Sequence, residues 1–293
     1  MTIALNAFLN DAGIPIASTL IMRHTPTERG LLRRLSIWVE ENPKMYNDYQ
    51  SNQNIREETM LSRAKYLASF IGQRVGEALF VGIYKVDGWK EIRVAQFCEM
   101  DVVKELYGYG NRPKQKEYVK WFNLQLMPEM AKLKGKLVVC WPPPPAGRTF
   151  ARWAAPNTFP VKAIHAENVL IPPMRPWHEV VYEWAELKVL PASWSATLKQ
   201  WRAIYLVHDV HDGKNYVGSA YGEENLDARW AIYAANGHGG NMELRGRDPN
   251  NFRFSILELV SQSMPKEEVE AKESSWKRRL HTLVPDPSGL NRN

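Results

Sequence analysis

Arg202-Ala203-Ile204-Tyr205-Leu206-Val207 and Lys214-Asn215-Tyr216-Val217-Gly218 are two short runs rich in β-branched and aromatic residues, joined by a polar turn containing Asp212-Gly213. An Asp-Gly pair between such runs is a strong hairpin signal. In a hairpin, Tyr205 and Tyr216 lie on neighbouring strands and can face one site. Leu226–Ala235 then has helical spacing and sets Arg229 and Tyr233 four residues apart on one face. Phe252–Val260 alternates like a third strand. Pro265 opens a charged helix over Lys266–Leu280 with Glu273 in its middle, and Gly289-Leu290-Asn291 follows near the end.

This strand–strand–helix–strand–helix order resembles the GIY-YIG nuclease family. The likeness rests on Ala203-Ile204-Tyr205, Asn215-Tyr216-Val217-Gly218, Arg229-Trp230-Ala231-Ile232-Tyr233, Glu273 and Asn291, and covers about 200–291, a third of the chain. Ala203 stands where the family name has Gly, and Val217 where it has Ile; neither change removes a functional group. The resemblance implies hydrolysis of a phosphodiester with one bound metal ion. It makes Glu273 the ligand of Mg²⁺ (or Mn²⁺) and Arg229 the cation on the scissile phosphate. It makes Tyr205 or Tyr216 the group that activates water, as a phenolate-like base assisted by nearby positive charge. Tyr233 takes the place four residues after Arg229, and Asn291 matches a late Asn that braces the site.

The chemistry suits these residue types. Cleaving a phosphodiester requires an activated nucleophile and stabilisation of charge on the phosphoryl oxygens. A hard cation such as Mg²⁺ uses few protein carboxylates and keeps several waters, so one glutamate can suffice. Among Glu267, Glu268, Glu270 and Glu273, the last is preferred because Trp276 and Leu280 at +3 and +7 turn its face inward. Lys214 either assists by lowering a tyrosine pKa or is a turn lysine. His208 and His211 sit in the turn without ligand spacing, and His238-Gly239-Gly240-Asn241 is a flexible loop.

Composition bounds the rest. With 44% hydrophobic and 24% charged residues over 293 positions, the chain is that of a folded protein with room for two domains. No window of about 18 apolar residues exists, which argues against a membrane span, and Met1–Asn6 has no signal-peptide pattern. A cytoplasmic location is expected. Cys98 and Cys140 lack a CxxC spacing and read as reduced thiols. The net charge of +6 is uneven: residues 196–293 hold 13 Lys/Arg and 13 Asp/Glu, which leaves 25 and 19 for residues 1–195. A basic excess suits a polyanionic partner.

The N-terminal text is mixed. A helix is expected over Leu31–Trp38, strands over Leu67–Ile71 and Ala78–Val86 (closed by a turn at Asp87-Gly88), and a helix over Lys114–Leu133. Further strands are expected at Lys134–Trp141, Phe159–Ile164 and Ala166–Ile171, while Tyr46–Gln53 shows no period. Eight of eleven tryptophans precede residue 200, and aromatic plus basic residues can hold and stack an unpaired base. Arg148, Arg152 and Trp153, in Gly147–Trp153, are the preferred DNA contacts; Arg23-His24 and Tyr49/Gln50/Gln53 are a second choice. The text around Phe70–Val86 faintly resembles PUA-like base-inspecting domains.

The whole is expected to be α+β: a DNA-recognition domain at 1–171 with a small twisted sheet or barrel, a docking connector at 172–196, and a GIY-YIG nuclease with a three-stranded antiparallel sheet at 197–293. Double-stranded DNA is the expected substrate, the target being a sequence or a modified base in a restriction or phage-defence setting. One active site cutting two strands implies a homodimer, formed on DNA if not before. A repair or homing nuclease, an inert DNA-binding copy and an RNA-directed module are the alternatives.

Overall fold

The computed structural model describes residues 3–28, 30–108, 117–142 and 150–292. The chain divides into two units, 1–172 and 173–293. Each mixes helices with a largely antiparallel sheet, an α+β architecture. No helix among the described residues is long and apolar enough to cross a membrane. Cys98 and Cys140 are free thiols.

The first unit starts with α1 (Leu5–Asp11) and β1 (Thr19–His24). α2 (Leu31–Glu41) buries Leu31, Leu35 and Trp38, the i, i+4, i+7 stripe expected from sequence. α3 (Pro43–Gln50) forms where no period was legible. Pro43 occupies its first turn, the Asn42 side chain accepts from Met45 N, and Tyr46 and Gln50 turn inward four apart. After α4 (Ile55–Leu61), β2 (Tyr66–Gly72) runs parallel to β1, and α2–α4 form the crossover between them.

β3 (Glu77–Arg93) does not end at Asp87-Gly88 as expected. Gly88, at φ +75°, lies within a bulge between Val86 and Trp89, and the strand continues. Short helices α5 (Val94–Cys98) and α6 (Asp101–Gly108) follow. The helix expected over Lys114–Leu133 is instead β4 (Tyr118–Leu126), paired with the distal half of β3; Phe122 and Leu124 are buried and Asn123 between them is exposed. Pairing with β3 fixes this stretch as a strand, in keeping with its Tyr118, Val119, Trp121 and Phe122. β5 (Leu137–Cys140), β6 (Ala151–Trp153) and β7 (Val161–Ile164) complete the sheet, while Ala166–Ile171 is irregular and not a strand.

The seven-stranded order is β6-β1-β2-β3-β5-β7, with β4 on β3. This sheet is open along its described strands and larger than the small sheet or barrel expected. Its strands are buried on both faces: Leu20, Met22, Leu67 and Leu79 pack with Leu35, Trp38 and Tyr46, whereas Ile21, Ala68, Phe70 and Phe80 pack with Leu5, Leu9 and Phe159. Two-sided burial explains why these strands read as continuous apolar runs.

The second unit contains β8 (Val181–Glu183), α7 (Trp184–Leu187), α8 (Ala192–Gln200), β9 (Arg202–Asp209), β10 (Asn215–Ala220), α9 (Asn225–Asn236), β11 (Phe252–Val260) and α10 (Lys266–Arg279). The antiparallel order is β10-β9-β11-β8, four strands and not the expected three. The extra strand comes from 172–196, whose Tyr182, Leu187 and Trp194 enter the core of this unit. α9 covers one face with Trp230 against Tyr205, Val207 and Phe254; α10 covers the other with Val269 beside Ile204 and Val217. Full burial of each such aliphatic or aromatic side chain contributes about 1.5–3 kcal/mol.

Candidate active site

The hairpin register pairs Tyr205 with Gly218 and Val207 with Tyr216, so both phenols point to the α9 face of the sheet. Ser219 pairs with Ile204 and therefore faces α10. Because β10 is an edge strand, groups from the two faces can meet around its rim. There Tyr216, Ser219, Arg229 and Glu273 line one cleft of about 420 Å³.

Arg229 is the hub. Its Nε donates to Tyr205 Oη at 2.7 Å and its Nη1 to the Gly239 carbonyl at 3.0 Å. The guanidinium also lies over the Tyr233 ring, 5.2 Å from its centroid. Tyr205 Oη lies 3.2 Å from Tyr233 Oη, which in turn accepts from Asn241 Nδ2 at 2.7 Å. Tyr205 and Tyr233 are fully buried, whereas Tyr216 is half-buried and reaches the cleft.

Two glycines make room for the two buried phenols. A Cβ on Gly218 would fall 2.4 Å from Tyr205 Oη, and one on Gly239 would fall 2.4 Å from the Tyr233 ring. Gly239 also holds φ +59°, a second reason for glycine there. The Gly218 of the sequence motif is thus the floor on which the preceding strand's tyrosine lies.

Burial pushes the Tyr205 phenol up, and the charge of Arg229 opposes it only in part. Tyr216 and Tyr233 are raised for the same first reason. Burial works against the Arg229 charge as well, but the surrounding phenols outweigh it and hold the guanidinium protonated. All three tyrosines are therefore neutral around pH 7 in the protein alone, not phenolate.

Glu273 comes from the middle of α10. Its Oε1 accepts from Lys277 Nζ at 2.6 Å, and Oε2 accepts from Ser219 Oγ. The Glu273 side chain is 16% exposed, so the carboxylate is held at the cleft wall and not solvated on an open face. No group of three or more His, Cys, Asp or Glu gathers as a metal site among the described residues.

Asn291 acts from outside the cleft. Its side-chain amide accepts from Val217 N at 2.9 Å and donates to Val217 O at 2.8 Å, pairing the strand as a neighbouring backbone would. Gly289 and Leu290 bridge Asn215 beside it. The C-terminal tail thereby covers the outer edge of β10 up to Val217 and leaves its last residues to the cleft.

Six sequence-derived candidates, Tyr205, Tyr216, Arg229, Tyr233, Glu273 and Asn291, come together on this unit. Lys214 stays in the hairpin turn and does not line the cleft. Arg148 lies outside the described residues. Arg152 donates to the Pro142 carbonyl at 3.2 Å, and Trp153 packs against the core of the first unit.

Ser219, Asn225, Asn241 and Lys277 were missed. Lys277, four residues after Glu273, was legible as a helical pair. Asn241 was quoted only within a loop. Asn225, at φ +47° and lining the cleft beside Arg229, had no sequence signal.

The arrangement offers a fixed cation, hydroxyl groups and a carboxylate in one open cleft, the set needed to bind and polarise a phosphate ester. No family model matches the chain, and no curated protein does. Two solved structures are similar to part of it. A mutant of the catalytic domain of intron endonuclease I-TevI shares 23% identity over 32% of this chain and 94% of that one, with a TM-score of 0.27. A second structure of the catalytic domain of homing endonuclease I-TevI shares 24% identity over 31% and 98% of the two chains, with a TM-score of 0.26.

Proposed function

We propose that residues 173–293 are a divalent-metal-dependent endonuclease that hydrolyses phosphodiester bonds in double-stranded DNA. One observation carries this reading: Tyr216, Arg229 and Glu273 open into one cleft on an edge strand, with Arg229 anchored from behind by Tyr205. A structural arginine would be enclosed; this one presents charge to a cavity that also holds a carboxylate.

The donor set fits Mg²⁺ or Mn²⁺. Glu273 supplies a single hard carboxylate whose two oxygens each hold one protein donor and keep a further lone pair, and the cleft has space for the waters that such ions retain. When bound there, the ion would neutralise charge developing on the phosphoryl group. The protein's own residues do the rest. Arg229 binds the scissile phosphate, preorganised by Tyr205 and Gly239. Tyr216 orients the attacking water, because Tyr205 Oη is already engaged with Arg229 and Tyr233. Ser219 and Lys277 hold the Glu273 carboxylate in place.

The first unit, with the chain's basic excess in its sequence, is the DNA-recognition part, and the whole is a cytoplasmic restriction or phage-defence enzyme. Two copies meet on DNA to cut both strands. The test is incubation with Mg²⁺ and unmodified plasmid, cytosine-modified phage DNA or single-stranded DNA, using wild type and Glu273→Ala. Metal-dependent cutting that vanishes in Glu273→Ala is expected. Cutting that survives would refute the site, and binding without cutting of any DNA would favour an inert nuclease fold.

A further inference from the structure

The first unit has its own cavity, about 450 Å³, at the C-terminal end of β1. Its size is that of a small-molecule site. It also sits where open sheets with parallel strands bind ligands, outside the carboxyl ends of those strands; β1 and β2 are the parallel pair here.

Three groups in its lining are buried without hydrogen-bond partners: Arg23 Nε, His24 Nε2 and Thr25 Oγ1. His24, the last residue of β1, is 6% exposed, and its Nε2 has no hydrogen-bond partner. Glu57 of α4 is 5% exposed and has no ion pair or side-chain hydrogen bond among the described residues. Buried polar atoms of this kind are costly unless something bonds them.

The remaining lining defines what that something is. Tyr49, Phe97 and Phe150 give flat apolar walls, and Asn52 and Gln53 add amides. Among the described lining residues, the carboxylates Glu28, Asp48, Glu57 and Glu58 outnumber the cation Arg23, which disfavours a phosphate inside. A flat uncharged ring carrying both N–H donors and ring acceptors on its edge suits the carboxylates and the unpartnered Arg23 Nε and Thr25 Oγ1 together.

We propose that this cavity receives one unpaired nucleobase of a DNA strand, of the kind carrying a 4- or 6-amino group, cytosine or adenine. Glu57 accepts from the amino group, as carboxylates do from cytosine N4. His24 Nε2 takes a ring-edge position, and the aromatic walls stack the base while its phosphates stay outside. Thymine, with a carbonyl in place of the amine, is disfavoured. This rests on the nuclease reading only for the choice of DNA as the source of the base.

The test uses fluorescence anisotropy of labelled oligo-dC, oligo-dA, oligo-dT and oligo-rC with the full chain in EDTA, so that no metal-dependent cleavage occurs. At least one of oligo-dC and oligo-dA is expected to bind about tenfold or more tighter than oligo-dT. Glu57→Gln should erase that preference. Thr27→Trp, at an exposed residue of the cavity lining, blocks entry without altering the buried carboxylate and serves if Glu57→Gln fails to fold. Equal binding of all deoxy-oligomers, or a preference unchanged by Thr27→Trp, would overturn the proposal. Tighter binding of oligo-rC than oligo-dC would overturn DNA as the source. Selective binding by a protein that cuts no DNA would refute the nuclease reading and leave the cavity assignment standing.

Discussion

Gly218→Ala is the most informative single substitution, because it adds one methyl group and changes no charge. The new Cβ would lie 2.4 Å from Tyr205 Oη, 2.5 Å from its Cζ and 3.0 Å from Tyr216 Cε1, against 3.4–4 Å for ordinary contact. The Tyr205 ring must therefore retreat by about 1 Å. Backbone strain does not contribute, since Gly218 does not sit at positive φ.

That retreat breaks or bends the 2.7 Å bond from Arg229 Nε and releases the guanidinium. A 1 Å misplacement of a catalytic group lowers rates on the order of 10²-fold, or about 2.7 kcal/mol of barrier. Overpacking would lower stability by about 1–3 kcal/mol. The assay is single-turnover plasmid cleavage in Mg²⁺ with enzyme in excess, accompanied by urea unfolding. In a Tyr205→Ala background only the 3.0 Å approach to Tyr216 Cε1 remains, so Gly218→Ala should then destabilise much less than in the wild type. A coupling of this kind identifies a direct clash. Wild-type rates in Gly218→Ala, or an equal stability loss in both backgrounds, would refute the argument.

Arg229→Lys keeps the charge but loses the planar fork that bonds Tyr205 and Gly239 together; cleavage should fall by about 10²-fold with the melting temperature little changed, and a variant within threefold of wild type would reject the anchoring role. Tyr216→Phe should reduce the single-turnover rate more than Tyr205→Phe does, and the reverse order would move water activation to Tyr205. Asn291→Ala removes two hydrogen bonds to a buried strand residue and should lower stability by about 2 kcal/mol in urea titrations. Burial holds the His24 imidazole down at about 4, against 6.5 in an unfolded chain. Its contribution is thus complete above pH 6.5 and is lost as pH falls toward 4, by about 3 kcal/mol; comparing urea midpoints at pH 7 and pH 4.5 for wild type and His24→Gln should show a smaller pH dependence in the variant.

The second unit was legible because its sheet has strong local punctuation. Asp212-Gly213 fixes the hairpin, and the register then places Tyr205 over Gly218 without further information. Glu273 was separable from Glu267, Glu268 and Glu270 because helical spacing says which face turns inward. The fourth strand, β8, was not legible: Val181–Glu183 is three residues long and draws its stability from β11, far away in sequence. In the first unit the same limit explains β4. Tyr118–Leu126 holds the aromatic and β-branched residues that suit a strand, but it lies inside the longer run Lys114–Leu133, and pairing with β3 is what delimits it. Asn225 and Ser219 were invisible for another reason. Their roles come from where β10 and α9 meet in space, and a lone Asn or Ser has no spacing to read.

The placement of β10 at the sheet edge explains why this site can exist on so small a fold. In an interior strand, alternate side chains are separated by the sheet itself, so Arg229 on one face and Glu273 on the other could not approach one phosphate. At an edge the two faces join around the rim. An uncovered edge is also a liability, since its free backbone groups invite pairing with other chains. The C-terminal tail resolves both demands. Asn291 occupies the N–H and C=O of Val217, and Gly289 and Leu290 bridge Asn215. Pairing stops there, one residue short of Gly218, so the segment bearing Ser219 and Ala220 remains open to the cleft. Asn291 does not touch the cleft: it sets where the covered edge of β10 ends and the open edge begins.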